Sequence, residues 1–387
     1  MQLCSTNTLP KSFASVQALR ALAALLVTLF HVSMKMEDVA IYSPLLRCFK
    51  AGFGGVDLFF VISGFIITHT NGSKINRPDQ LIPYLKKRFG RIYVIYWLVL
   101  VAASVLFLWL NAFAPSLKWL SYGFNPVEIA KALTLLPFHE SLLPVTWTLS
   151  YELYFYVLFG LLIVSRYFLI IPVLLLGATL LNGLATGAGQ PPLFAFSYHP
   201  FLLSPFTLEF CFGVVAYHLA RRNAFDIHPL LMGLAAGLFF LTGEWATPAD
   251  YWLRIGGFGL PAMVLLLGLI RWEASNRFSY PDWLTKLGDA SYLLYLIHVP
   301  AIMMLTQALM ILGLANYVVV ANVLLVAFLA WFSWLAHRWV EKPLLHWIHT
   351  SRPKTVAPKK AHLETIRYES VAVSVLHTQN DQAAALS

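Results

Sequence analysis

The first apolar segment of the chain, residues 15–34 (SVQALRALAALLVTLFHVSM), most constrains what this sequence can fold into. It is long and apolar enough to cross a bilayer as a helix, which takes about 20 residues. Two ionisable side chains, Arg20 and His31, lie inside it. Each is costly to hold in hydrocarbon, so each is a candidate functional residue. The structural alternative is a snorkelling arginine and a histidine that is hydrogen-bonded to a neighbouring helix.

The spacing of Arg20 and His31 places both side chains on one face of that helix. They are eleven positions apart in the sequence, which is about 20° past three full turns and a rise of about 16 Å. Arg20 is therefore expected near one membrane surface and His31 well towards the other. One helix face could hold an anionic group at one end and a base at the other.

The composition extends the membrane prediction to the whole chain, which has 387 residues, 59% of them hydrophobic and 12% charged. A soluble protein carries about 25% charged residues, so we predict an all-α, polytopic membrane bundle. The net charge of +9 is attributed to basic cytoplasmic loops, and no nucleic-acid partner is expected. The three cysteines show no paired spacing and no metal pattern, so neither a disulfide framework nor a metal site is predicted.

Apolar segments along the chain predict about ten transmembrane helices. They lie near residues 15–34, 53–70, 92–110, 145–164, 167–184, 205–222, 230–242, 255–270, 288–311 and 317–334. With ten helices both termini share a side, and because most Lys and Arg residues fall on that side, both termini are predicted to be cytoplasmic. Residues 12–349 are predicted to form one membrane domain, and residues 350–387, which are polar and contain prolines, a disordered cytoplasmic tail.

Three arginines are expected at the cytoplasmic ends of the helices. Arg20 lies early in the first helix, and Arg88 and Arg91 open the third, where their i to i+3 spacing puts them on one face. Arginine binds phosphate with a planar fork of donors, so such a cluster suits a phosphorylated ligand. The alternative is ordinary positive-inside charge.

A second group of polar residues is expected at the outer ends of the helices. His31 and Asp57 fall at one depth, where Asp57 is predicted to fix the tautomer of His31 and support its charged form. Glu152 and Glu209 begin their helices near the same level, and Tyr156 follows Glu152 by one turn on the same face. We therefore predict a shared, outward-facing polar cavity around His31.

Two further features lie within the helices. Thr148, Glu152 and Tyr156 at i, i+4 and i+8 form a polar stripe on one helix face. His298 lies in mid-helix, two residues before Pro300, which frees a backbone carbonyl. His298 therefore either satisfies local hydrogen bonds or adds a substrate-binding side chain to the site.

Several short motifs occur in order along the chain. They are Arg20 with His31; GGVDLFFVISGFII from Gly54; RFGRI with Arg88 and Arg91; WTLSYELYFY from Trp147; LEFCFG from Leu208; GDASYLLYLIH from Gly288; and EKP from Glu341. Each motif alone is weak evidence for a protein family. Together, in this order and on the expected helices, they are specific to one family. Over residues 12–347 the chain resembles the acyltransferase-3 family of integral membrane acyltransferases, and within it the ExoZ-type exopolysaccharide acetyltransferases.

The resemblance implies a ten-helix domain of the bacterial inner membrane with cytoplasmic termini. It also implies an acyl-CoA donor, most often acetyl-CoA, and a carbohydrate acceptor, either an exopolysaccharide or a lipid-linked saccharide. The family's essential Arg and His carry over onto Arg20 and His31, and its Arg pair onto Arg88 and Arg91. Family members with an extracytoplasmic hydrolase-like domain pass the acyl group to that domain. This chain resembles the stand-alone form, which must bind its acceptor itself, with membrane lipid and polysaccharide-synthesis machinery as the other expected partners.

The residues and the resemblance lead to one hypothesis about mechanism. Arg20, Arg88 and Arg91 hold the CoA phosphates, and the pantetheine arm runs up the bundle. His31 acts as general base on a sugar hydroxyl while Asp57 orients it; a covalent acyl-His intermediate is the open variant. The predicted catalytic residues are His31, Asp57 and Glu152, and the predicted substrate-binding residues are Tyr156, Glu209 and His298.

Two other functions remain compatible with the sequence. A transporter or exporter of a polysaccharide precursor would also have buried charges and ten helices, but the chain shows no internal repeat, and the depth pattern of the Arg and His residues does not suit it. A scaffold within a polysaccharide-synthesis complex is disfavoured only by the expected polar cavity.

Overall fold

The computed structural model describes residues 9–10, 12–38, 49–113, 126–138, 143–222 and 226–350. Within these ranges all regular elements are helices, which confirms the all-α prediction. The helices are α1 Ala14–Asp38, α2 Gly55–Asn71, α3 Leu81–Phe113, α4 Pro126–Thr134, α5 Trp147–Val164, α6 Ile170–Gly187, α7 Phe206–Arg221, α8 Pro229–Trp245, α9 Leu260–Ala274, α10 Asp282–Asp289, α11 Ser291–Ile311, α12 Val318–Ala336 and α13 Lys342–Thr350. The tail from residue 351 that is predicted to be disordered lies outside the described residues.

Short helical pieces extend several of these helices. His199–Leu202 precedes α7, and Tyr251–Arg254 leads through a π-helical turn, Ile255–Gly259, into α9. A second π-helical turn, His337–Glu341, joins α12 to α13. Such turns are rare in α-helices and often occur at functional sites.

The polytopic bundle is confirmed by helix length and composition. In the described part of the chain, nine helical segments are long and apolar enough to cross a membrane, and α8 is a shorter apolar helix of 17 residues. That length is at the lower limit of about 17–25 residues for a membrane-spanning helix. Met232 near the start of α8 packs on Gly268, and Thr242 near its end hydrogen-bonds the Gly257 carbonyl. Helix α8 therefore packs antiparallel to α9 and its preceding π-helical turn as a shorter apolar helix of the bundle.

The two ends of the bundle lie at the same face. At the start of α1, the backbone N–H groups of Ala14 and Ser15 donate to the carboxylate of Glu273 at the end of α9, at 2.8 and 2.9 Å. This carboxylate satisfies amide groups that have no partner within a helix and complements the helix dipole. Val318 at the start of α12 clusters with Met36 near the end of α1. Helix α12 therefore runs antiparallel to α1 and ends at the face where α1 begins. The placement of this face in the cytoplasm stays a prediction.

Helices α2 and α7 pack backbone against backbone at the centre of the bundle. A Cβ on Gly64 would lie 2.0 Å from the carbonyl oxygen of Phe210, and a Cβ on Gly213 would lie 2.0 Å from that of Val61. Small residues at such contacts let transmembrane helices approach closely and gain van der Waals contact. This contact sets the position of α2, which lines the cavity described in the next subsection.

Helix α3 begins at Leu81 rather than near residue 92. The prediction that Arg88 and Arg91 open this helix is therefore wrong, since both lie inside it. The helix is preceded by a 3-10 turn that starts at Pro78, and Tyr84 in its first turns donates from its hydroxyl to the carbonyl of Tyr156, at 2.9 Å. Tertiary contacts extend the helix through a basic stretch that hydropathy alone assigns to a loop.

Candidate active site

A cavity of about 110 Å³ lies between α1, α2, α3, α5 and α11. Its ionisable lining residues are Arg20, Arg88, Arg91 and Glu152, together with Tyr156, Tyr292 and Tyr295. We call it the arginine cavity. A single water molecule needs about 10–15 Å³ of such volume, so the cavity has room for a much larger ligand group.

The structure brings the three predicted phosphate-binding arginines together in this cavity. Arg88 donates to the Thr70 hydroxyl at 2.6 Å, and its guanidinium lies 5.4 Å from the centre of the Tyr156 ring. Arg20 makes a long contact of 3.4 Å with the side-chain oxygen of Gln17. Among the described residues, no carboxylate forms an ion pair with any of the three arginines. Their guanidinium groups are therefore available to an anionic ligand.

Glu152 lies in the arginine cavity and accepts a hydrogen bond from the hydroxyl of Tyr156. The polar stripe is correct, because Thr148, Glu152 and Tyr156 all line this cavity. The prediction that Glu152 lies at the level of His31 is wrong. Thr148 in the first turn of α5 already reaches Tyr295 at the cavity wall, so the next turn places Glu152 among the arginines.

His31 lies beyond the arginine cavity, beside His298. The two rings are 4.9 Å apart at an angle of 70°, with Nε2 of His298 3.3 Å from Nδ1 of His31. Nδ1 of His31 also lies 2.8 Å from the Val27 carbonyl oxygen of its own helix. Tyr295 lines the cavity and also contacts this pair, with its ring 5.6 Å from that of His298 and its hydroxyl 3.0 Å from the hydroxyl of Thr148. The arginine cavity and the histidine pair are thus adjacent compartments that share one tyrosine.

The structure contradicts the prediction that Asp57 orients His31. Both carboxylate oxygens of Asp57 accept from Arg254, at 3.1 Å from Nε and 2.7 Å from Nη2. The side chains of this pair are 0% and 2% exposed, and the guanidinium also lies 4.8 Å from the ring centre of Phe206. The planar fork of an arginine matches a carboxylate with two hydrogen bonds, and here Arg254 binds both oxygens of Asp57.

Arg254 is the residue that the sequence argument missed. It precedes the apolar segment that becomes α9, so hydropathy alone assigns it to a loop. Its signal in the sequence is a lone cation between two apolar runs, YWL and IGGFG. A cation in that position is expected to have a buried partner.

Glu209 belongs to the same buried cluster as Asp57 and Arg254. It is fully buried, its side chain lies against Gly259, and it lies close enough to Asp57 and Arg254 to interact electrostatically with both. It does not line the arginine cavity. The predicted shared cavity is therefore divided into three clusters: Glu152 with the arginines, His31 with His298, and Asp57 with Arg254 and Glu209. Asp57 and Glu152 each have a closer hydrogen-bonding partner than His31, namely Arg254 and Tyr156, and Glu209 lies beside Asp57 and Arg254.

A family model described as an acyltransferase domain, of the acyltransferase-3 type, matches residues 13–338. The chain belongs to the acyltransferase-3 family. This acyltransferase is 28% identical to the exopolysaccharide production protein ExoZ of Rhizobium meliloti over 309 residues, which cover 77% of this chain and 90% of that protein. It is 24% identical to the O-acetyltransferase OatA of Staphylococcus aureus over 372 residues, covering 87% of this chain and 57% of OatA. No solved structure matches the chain.

All of the site residues named above lie within the matched region. The acyltransferase is a multi-pass membrane protein, so its acyl transfer takes place within or at the surface of a helical bundle. The chain spans little more than half of the staphylococcal relative.

Proposed function

We propose that this acyltransferase transfers an acyl group, usually acetyl, from acyl-CoA to a hydroxyl group of an exported or cell-surface carbohydrate. The relatives support this proposal, since one is named an exopolysaccharide production protein and another an O-acetyltransferase. The protein is thus an O-acyltransferase. The acceptor class that we propose is an exopolysaccharide or its lipid-linked precursor.

The observation that carries the choice of donor is the excess of positive charge in the arginine cavity. Three arginines face it and only one carboxylate, Glu152, which is hydrogen-bonded to Tyr156. Cations that outnumber the carboxylates of a cavity are costly to hold away from water, so a multiply charged anion would stabilise this arrangement. The phosphates of CoA fit that requirement, and the planar forks of Arg20, Arg88 and Arg91 would hold them. When bound, acyl-CoA supplies the acyl group as a thioester.

We assign the base to His31 in the neighbouring compartment. A histidine positioned beside a hydroxyl can take its proton as the oxygen attacks the acyl carbon, which makes the oxygen a stronger nucleophile. Tyr295 lines the arginine cavity and also lies beside His298, so it links the cavity to the histidine pair. The donor therefore needs to extend past Tyr295 to bring its acyl group to the base.

The other predicted residues take revised roles in this proposal. Glu152 and Tyr156 belong to the wall of the donor site, where their hydrogen bond limits the number of charges that face the arginines. Asp57 and Glu209 stabilise the bundle through Arg254 and do not contact substrate.

We further propose that the protein lies in the bacterial inner membrane with both ends of its bundle at the cytoplasmic face. Arg20 lies six residues into α1, close to the face where that helix begins. This orientation opens the arginine cavity towards the compartment that contains acyl-CoA and places His31 nearer the outer leaflet, on the side of an exported acceptor.

The test is transfer of radiolabelled acetyl from acetyl-CoA to saccharide in membranes that contain the protein. Membranes with a His31→Ala variant at equal abundance are the control. We expect label in the saccharide fraction that is released by mild base, as an ester requires. Uptake of saccharide into vesicles without covalent label would instead indicate an exporter. If the saccharide is neither labelled nor taken up into vesicles, the protein is better explained as a scaffold within a polysaccharide-synthesis complex.

A further inference from the structure

We infer that His298 is a positioning residue, which holds His31 in the tautomer whose Nε2 is free to take a proton. The inference rests on the proposed role of His31 as the base, and it gives His298 the role that the sequence suggested for Asp57. The argument depends on which ring nitrogens face groups that can only accept a hydrogen bond.

The tautomer of His298 follows from its contact with a backbone carbonyl. Its Nδ1 lies 3.2 Å from the carbonyl oxygen of Leu294. A carbonyl oxygen only accepts, so Nδ1 must carry the hydrogen and donate it. In the neutral ring, which the full burial of His298 favours, Nε2 then has no hydrogen. The nitrogen that His298 turns towards His31 is therefore an acceptor.

The tautomer of His31 follows from the same reasoning. Its Nδ1 faces two acceptors, the Val27 carbonyl oxygen at 2.8 Å and Nε2 of His298 at 3.3 Å. Nδ1 therefore carries the hydrogen and donates it mainly to Val27, with a longer second branch to His298. Nε2 of His31 is left without a hydrogen, which is the state that a general base requires.

The opposite assignment places lone pairs against each other at two sites. If Nε2 of His298 carried the hydrogen and donated it to His31, Nδ1 of His298 would face Leu294 with no hydrogen between them. Nδ1 of His31 would likewise face the carbonyl oxygen of Val27 at 2.8 Å with no hydrogen between them. Because both helices present carbonyl oxygens to these rings, only one pair of tautomers satisfies all four contacting groups.

His298 adds a constraint that helix α1 cannot supply alone. The Val27 carbonyl belongs to the helix that carries His31, and it also serves the α-helical backbone hydrogen bond. Nε2 of His298 comes from α11, so it fixes the imidazole plane relative to a second helix. The ring of Tyr295 packs against His298 and holds it in place. When His31 takes a proton, its Nδ1–H keeps both acceptors, which stabilises the charged ring at the moment of transfer.

The test compares two amide replacements of His298 that differ in reach. In His298→Gln the side-chain oxygen can occupy the place of Nε2 and still accept from His31. In His298→Asn the shorter amide reaches only the place of Nδ1, so the contact with Leu294 is kept and the acceptor for His31 is lost. Both are polar, and both remove the imidazole. The kcat and the KM for acetyl-CoA are measured per molecule of folded protein, with thermal stability in detergent recorded for each.

We expect kcat of His298→Asn to fall by about 10- to 100-fold, less than the about 10²–10⁴-fold that a general base contributes, with the KM for acetyl-CoA unchanged. His298→Gln is expected to retain most of the wild-type kcat. Should the Asn variant fail to accumulate, His298→Met, which has a similar volume and only a weak acceptor, takes its place. Equal kcat values for Gln and the acceptor-free variant, or a change confined to KM, would overturn the inference. If the wild-type protein transfers no acetyl from acetyl-CoA, the proposed function itself is wrong.

Discussion

The proposed chemistry depends first on the imidazole of His31. We expect His31→Ala to abolish acyl transfer while insertion and abundance stay normal, because the side chain is only partly buried and makes its closest hydrogen bond within its own helix. A general base contributes about 10²–10⁴-fold to the rate. Transfer of labelled acetyl per molecule of protein is the measurement. Retention of more than about a tenth of the wild-type rate would exclude His31 as the base.

The arginine cavity leads to a prediction about donor affinity. Arg88→Ala and Arg91→Ala should each raise the KM for acyl-CoA by about tenfold or more, since a hydrogen bond to a charged group contributes about 1.5–3 kcal/mol. Replacement by Lys should restore binding only in part, because an ammonium group lacks the bidentate fork.

The matched control is Arg166→Ala, which removes an exposed arginine outside the cavity. Steady-state kinetics with varied acyl-CoA provides the measurement. If Arg88→Ala and Arg91→Ala behave like this control, the two arginines serve only the orientation of the protein in the membrane.

The pair of Asp57 and Arg254 leads to a prediction about stability. Asp57→Ala leaves the guanidinium of Arg254 buried without its partner, and breaking a buried pair in this way costs about 3–5 kcal/mol. We expect low abundance and a lower melting temperature. The double replacement Asp57→Leu with Arg254→Met should recover much of the stability, since apolar residues of similar volume often substitute for a buried ion pair.

Thermal unfolding in detergent compares the single and double variants of this pair. If the Asp57→Ala protein melts at the normal temperature but transfers no acyl group, Asp57 has a catalytic role and not a structural one.

At the scale of elements, the contact of α2 with α7 is the most demanding in its geometry. Gly64→Ala places a Cβ 2.0 Å from the Phe210 carbonyl oxygen, so the two helices must separate. Overpacking of this kind costs about 1–3 kcal/mol. Because α2 also supplies part of the cavity wall, we expect both melting temperature and transfer rate to fall.

Gly237→Ala in α8 is the control for this contact, since nothing lies within 4 Å of the added Cβ. It should leave stability unchanged or slightly raised, because alanine favours a helix over glycine by about 1 kcal/mol. Equal melting temperatures for the two variants would show that α2 and α7 are less closely packed than described.

At the scale of the whole molecule, we predict that the membrane domain carries out the reaction alone. A chain that ends at Ser351 should still insert, fold and transfer acyl groups, though its abundance can fall. The residues removed have few large apolar side chains, and their lysines near the membrane can contribute about 1 kcal/mol each through anionic lipid. Product formed per molecule of truncated protein is the measurement. Loss of transfer at normal abundance would show that the tail completes the site.

The sequence by itself determined the fold class, the polytopic character of the chain and the set of arginines that meet in one cavity. These properties follow from hydropathy and from residue spacing along single helices. A bilayer admits only segments of suitable length whose backbone groups are satisfied internally, so a one-dimensional pattern is sufficient to find them. The stripe of Thr148, Glu152 and Tyr156 was predictable for the same reason, because its geometry lies within one helix.

Only the tertiary structure decided which polar groups meet across helices. Asp57 binds Arg254, Glu152 joins the arginines, and His31 faces His298. A shift of one helical turn, about 5.4 Å, or a rotation of one residue, about 100°, replaces one hydrogen-bonding partner by another. The depth and rotation of each helix result from packing between different helices, such as the glycine contact of α2 with α7. Those quantities depend on all the side chains at the contact together, and no pattern within a single helix contains them.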